Sequence, residues 1–172
     1  MLLTAWAAPS HAQAEGSAAE YQIKAAFLHK FLHFVEWPPQ VLGQASAPLR
    51  VGVLGADALA DELSQVVAAR PIAGRPIVVQ KLQAGAALAD LHVLFVGRSQ
   101  GARMPQINAA LKNQPLLLVS ESDDVFASGS AINFVVVEDK VRFDVALYRA
   151  EQLGLKISAR LLTAARKVVA SL

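Results

Sequence analysis

His29 and His33 stand four residues apart, and Glu36 follows within one more turn. On a helix that spacing puts both imidazoles on one face, as a pair of metal ligands requires. No H-E-x-x-H is present and no third ligand is evident, so a polar stripe is expected here and no metal site. Gly52-Val53-Leu54-Gly55 has two glycines but neither the rest of a G-x-G-x-x-G nor the Lys-Ser/Thr of a phosphate loop. It predicts a tight strand-to-helix turn. Val93–Arg98 ends without the Asp that a phosphoacceptor site needs. Glu121, Asp123 and Asp124 carry oxygens that a hard cation accepts, but their polar stretch predicts a solvated loop. Ser99, Ser120, Ser122, Ser128 and Ser130 all lie outside any G-x-S-x-G. The chain has no Cys, which excludes disulfides, thiolate zinc sites and a Cys nucleophile. These residues assemble no catalytic set and no cofactor site, so the protein is not expected to be an enzyme.

Composition narrows the classes further. Of 172 residues, 54% are hydrophobic and 17% charged, the balance of a folded chain with a sizeable core. The net charge is +2 without a block of like charge, which argues against a nucleic-acid partner. Residues 1–14 form a leader. Leu2–Ala8 is apolar and Ala12-Gln13-Ala14 is a small-x-small site, as in the rear half of a secretory signal cleaved after Ala14. The positively charged front of such a signal is missing, so the signal looks truncated. Export is expected, and no uncharged apolar run downstream reaches the ~20 residues that span a bilayer.

Residues 19–170 read as one α/β domain. Glu20–Glu36 has apolar residues at helical spacing through Ile23, Phe27, Phe31 and Phe34. Trp37-Pro38-Pro39 ends that helix. Strands are predicted over Leu49–Gly55, Arg75–Gln80, His92–Val96 and Pro115–Ser120, and helices over Ala58–Arg70 and Arg103–Asn113. Early alternation of strands and helices argues parallel pairing. The last part is a hairpin, Ser130–Val137 and Val141–Val145 around Glu138-Asp139-Lys140, followed by two short helices. Ser130–Val137 is apolar on both faces and reads as central. Val141, Phe143 and Val145 point inward, with Arg142 and Asp144 outward. Gly154 is expected to follow one helix at its C′ position and Ser158 to cap the last, whose apolar face runs to Val168. The expected fold is a three-layer αβα arrangement on a mixed sheet of about six strands, with the C-terminal antiparallel hairpin and two short helices.

Four stretches together resemble the YfiR-type family of exported bacterial regulators. They are Ala19–Pro38, Ile72–Ile77, Leu91–Val96 and the run L-L-L-V-S-E-S-D-D-V-F-A-S-G-S-A-I-N-F from Leu116 to Phe134. The last continues through Val141–Ala146 and Gly154–Arg166. The resemblance implies a periplasmic repressor that binds the periplasmic sensor region of an inner-membrane diguanylate cyclase and lowers cyclic di-GMP. It also implies a homodimer, an outer-membrane lipoprotein that sequesters the repressor, and no cofactor. Partner-binding residues carried over are Ile132, Phe143, Asp144, Ala150, Lys156 and Ser158, with a pocket for small aromatic ligands near Lys156 and Ser158. Ala146 stands where the family's F-[DE]-[IV]-N has Asn. The absence of Cys excludes redox sensing through disulfides. A small-ligand-binding module and an accessory domain of a sensor kinase are the alternatives.

Overall fold

The computed structural model describes the backbone of residues 11–171. Helix α1 (His11–Phe34) leads through a short strand β1 (Val35–Glu36) and a one-turn helix α2 (Pro39–Leu42) into strand β2 (Leu49–Leu54). There follow α3 (Asp57–Val67), β3 (Ile77–Leu82), β4 (Val93–Val96), a 3₁₀ turn over Arg98–Arg103, α4 (Met104–Leu111), β5 (Leu117–Ser120) and α5 (Asp123–Ser128). The chain ends with β6 (Ile132–Val137), β7 (Lys140–Ala146), α6 (Leu147–Gln152), β8 (Lys156–Ile157), α7 (Ala159–Ala164) and β9 (Lys167–Val169). Residues 1–10 of the expected leader lie outside the described residues, and α1 begins within its last four. No described helix is long and apolar enough to cross a membrane.

Seven strands form the main sheet in the order β3-β2-β4-β5-β6-β7-β9. Pairing is parallel from β3 to β6, antiparallel between β6 and β7, and parallel again between β7 and β9. Alternation sorts the core into two layers. Val51, Val53, Val93, Phe95, Leu117 and Val119 face α1 and α3. Leu54, Leu94, Val96 and Leu118 face α4. A sheet buried on both faces needs apolar residues in both registers, and these strands supply them. Gly52 is part of the same packing: a Cβ there would come within 2.6 Å of Leu82 and 2.8 Å of Leu91.

The expected three-layer arrangement is present, and several boundaries are corrected. α1 ends at Phe34, because Val35 and Glu36 pair with Ile157 and Lys156. Lys140 belongs to β7, and the hairpin turn is Glu138-Asp139 alone, both with positive φ as a two-residue primed turn requires. Asp123–Ser128 is helical where a loop was expected, with two carboxylates favouring its first turn and Val125 buried. The final helix stops at Ala164. Lys167–Val169 then takes the free edge of β7 as a seventh strand, which leaves Val168 partly exposed. Gly154 does follow α6 with positive φ, and Ser158 Oγ accepts the Leu161 N–H at 3.3 Å.

His92 ties the amino end of the sheet together. Its Nδ1 accepts the Arg50 N–H at 3.0 Å, so the proton sits on Nε2, which donates to the Val41 carbonyl at 3.0 Å. The Trp37 Nε1–H donates to the His92 carbonyl at 3.0 Å. A second ring proton would face the Arg50 N–H. Burial first, then Arg75 and Arg50, hold this histidine below the usual value of 6.5. The folded protein therefore binds fewer protons than the unfolded chain once pH falls below that value. The contribution of His92 to stability is expected to be complete above about pH 6.5 and to decline below it. His29, also lowered by burial, adds with the same sign. Urea unfolding at about pH 7.5 and about pH 5.5 checks this: the loss on acidification should shrink in His92→Gln.

Candidate partner-binding surface

A layer of phenylalanines joins α1 to the hairpin. Phe31 lies 5.5 Å from Phe134 and 5.1 Å from Phe143, and Phe27 lies 5.4 Å from Phe143. Phe27 and Phe31 are four residues apart, which puts both rings on the helix face turned to the sheet. Stacked and edge-on pairs of this kind add to the burial that holds the helix down.

Lys24 lies on the same buried face and is only 1% exposed. Its Nζ donates to Glu121 Oε2 at 2.7 Å, pairs also with Glu20, and lies 5.9 Å from the Phe134 ring. The other oxygen of Glu121 accepts the Arg98 N–H at 3.3 Å, with the Arg98 guanidinium 3.7 Å away. Burial, and then the charge of Glu121, push the Tyr21 phenol above its ordinary value. Glu121 is thus an interior anion paired with Lys24, which corrects its expected place in a solvated loop; Asp123 and Asp124 are exposed and apart from it. The legible signal was Lys24 itself, four residues before Leu28 and seven before Phe31. A charge on a core stripe requires an interior partner.

The cluster fixes which way α1 points. Trp37, just past its C-terminus, meets His92 at the amino end of β4, while Lys24 meets Glu121 just past the carboxyl end of β5. The first turns of α1 therefore overhang the carboxyl edge of the sheet. The hairpin overhangs it too: Asn133 is level with Ser120, the last residue of β5, and Phe134–Val137 continue beyond. That end of β6 has β7 on one side and no paired strand on the other among the described residues. Ile23 sits one turn before Phe27 and is 46% exposed; Val136 sits two residues after Phe134, on the same strand face, and is 52% exposed. α1 and the hairpin thus each carry an exposed apolar side chain at the same end of the sheet, and these two are called the ledge below.

The six residues expected to bind a partner are not gathered on one surface. Ile132, Phe143 and Ala150 are core residues. Asp144 is 4% exposed, contrary to its expected outward position, and accepts a hydrogen bond from Arg166 Nε at 2.8 Å. Strict alternation correctly put Asp144 off the apolar face, but β9 pairs along the edge of β7, Lys167 beside Asp144, and this brings the Arg166 side chain onto the carboxylate. On the same side buried Asn133 donates to the exposed Asp123 at 3.2 Å and accepts from buried Ser120 at 2.7 Å. Lys156 is exposed opposite Glu36 in the β1–β8 pair, and Ser158 is half-buried as the cap of α7. These two lie at the other end of α1 from the ledge. His29 is half-buried and His33 exposed against Phe34. The described residues bring no three potential metal ligands together.

No individually curated protein matches the chain. Among solved structures, it is similar to a conserved domain protein of Vibrio cholerae, with TM-score 0.58 and 11% identity, over 86% of this chain and 60% of that one. It is also similar to an ABC domain of Streptococcus pneumoniae in complex with L-Trp, with TM-score 0.54 and 10% identity, over 70% of this chain and 55% of that one. The chain spans less than two thirds of either structure, and at such identity the likeness is one of fold. The family model for YfiR/HmsC-like proteins, DUF4154, matches residues 21–166. That span runs from the first turns of the buried face of α1 to the arginine that closes on Asp144, and the chain belongs to the YfiR/HmsC-like family.

Proposed function

We propose that this protein is a periplasmic repressor that binds the periplasmic sensor region of an inner-membrane diguanylate cyclase and lowers cyclic di-GMP signalling. The observation that carries this is the family match over residues 21–166, since the family is one of periplasmic regulators of that signalling. Repression needs no chemistry in the repressor. It needs a surface that prefers the inactive conformation of the cyclase, and the coupling can be no larger than that preference. The ledge of Ile23 and Val136 supplies exposed apolar area beside an open strand edge, the features by which a folded surface captures another chain. A homodimer and sequestration by an outer-membrane lipoprotein complete the proposed cycle.

Binding of the purified protein to periplasmic sensor domains of diguanylate cyclases from the same cell tests this. A stable complex is expected, and Val136→Lys should weaken it by about 30-fold or more while leaving the melting temperature unchanged. No complex with any such domain overturns the repressor. A complex insensitive to Val136→Lys but lost in Lys156→Glu moves the interface to the β8–α7 end.

A further inference from the structure

The geometry points to a binding site for a small apolar carboxylate on the α4 face of the sheet, at the carboxyl end of β2. It does not rest on the repressor proposal. β3 and β4 are parallel to β2 on either side of it, yet residues 83–92 cross from one to the other without a helix. A crossover between parallel strands ordinarily covers the sheet with one. Here an Ala- and Gly-rich segment does so thinly, and a cavity of about 310 Å³ remains between it and α4. Leu54, Ala86, Leu88 and Ile107 supply its apolar lining, and Arg103 and Gln106 its polar side. The volume is at the low end for ligand sites, which selects a small molecule.

The charge at the site selects the head group. Arg75, Arg98, Arg149 and Arg166 are each held by oxygen acceptors. Arg103 is exposed and, like Arg50, Arg70, Arg142 and Arg160, enters no ion pair or side-chain hydrogen bond among the described residues; of these it alone lines the cavity. No described Asp or Glu lines the cavity, so an ammonium group would have no carboxylate to pair with there. An apolar body with a single carboxylate and no amine fits: the body replaces water against Leu54 and Ile107, and the carboxylate takes the two parallel N–H donors of a guanidinium.

Calorimetric titration of the whole protein with hydrocinnamate, and with its neutral amide, tests the assignment. Saturable hydrocinnamate binding is expected, with the amide about tenfold weaker or worse. Arg103→Gln should remove that difference by weakening the acid alone, and Ala110→Phe, which fills the cavity from α4, should abolish binding of both. No saturable binding at millimolar hydrocinnamate, equal affinity for acid and amide, or an unchanged affinity in Arg103→Gln each overturns it. Arg103 holds no structural contact, so its variant is expected to fold as the parent does.

Discussion

Phe134→Ala is expected to cost about 3–5 kcal/mol, the range for truncating a buried phenylalanine where the surroundings collapse only in part. The ring is 2% exposed and stands at the centre of four others, with Phe31 at 5.5 Å, Phe27 at 6.1 Å and Phe95 at 6.4 Å, and Phe143 opposite it across the hairpin. Those rings come from α1, β4 and β7, and none can follow the vacated volume without leaving its own partners. The same strand provides the control. Val136 lies two residues on, on the same face but 52% exposed, and Val136→Ala should cost less than about 0.5 kcal/mol. Denaturant unfolding of both variants reads the contrast directly. Equal costs would mean that the hairpin end is packed, and would remove the ledge on which partner capture is proposed.

That contrast also marks what the amino-acid sequence could say. Period-two alternation separated Phe143 from Asp144 correctly, because it depends only on the pleat. It could not say what lies over either face. Asp144 was expected in water and is roofed by Arg166, 22 residues later. The edge strand that places Arg166 there, Lys167–Val169, is three residues long, too short to show a period of its own and continuous in composition with the helix before it. Local signals fared better: Ser158 caps α7 and Gly154 ends α6, since a cap and a left-handed residue are decided within one turn. Of the residues carried over by resemblance, Ile132, Phe143 and Ala150 proved to be core, while Ile23 and Val136 were read as part of apolar faces with nothing to show where cover stops. The overhang of α1 and of the hairpin depends on how far β5 extends, and β5 is long-range information for both.

The Lys24–Glu121 pair is a second place where the fold depends on long-range information. The two residues are 97 positions apart, their side chains are each 1% exposed, and they meet at 2.7 Å. Lys24→Met and Glu121→Leu, made singly, are each expected to cost about 3 kcal/mol, because each strands a buried charge. The figure sits at the low end of the range for such losses, since Glu20 would still face Lys24, and the Arg98 N–H would still reach Glu121. In a domain of this size that is a fall of about 6–12 °C in melting temperature. Lys24→Met with Glu121→Leu should cost far less than the sum, because two apolar side chains of similar length replace two charges that had to be desolvated. Thermal unfolding of the three variants measures the coupling, and additive costs would show that the two groups do not act as a pair. The double variant separates fold from function as well. If the charges serve only to seat α1 against Phe134, it should bind sensor domains as the parent does. If binding is lost while stability returns, the polar contacts of Glu20, Tyr21 and Arg98 around the pair are needed to hold the first turns of α1 in the position that presents Ile23.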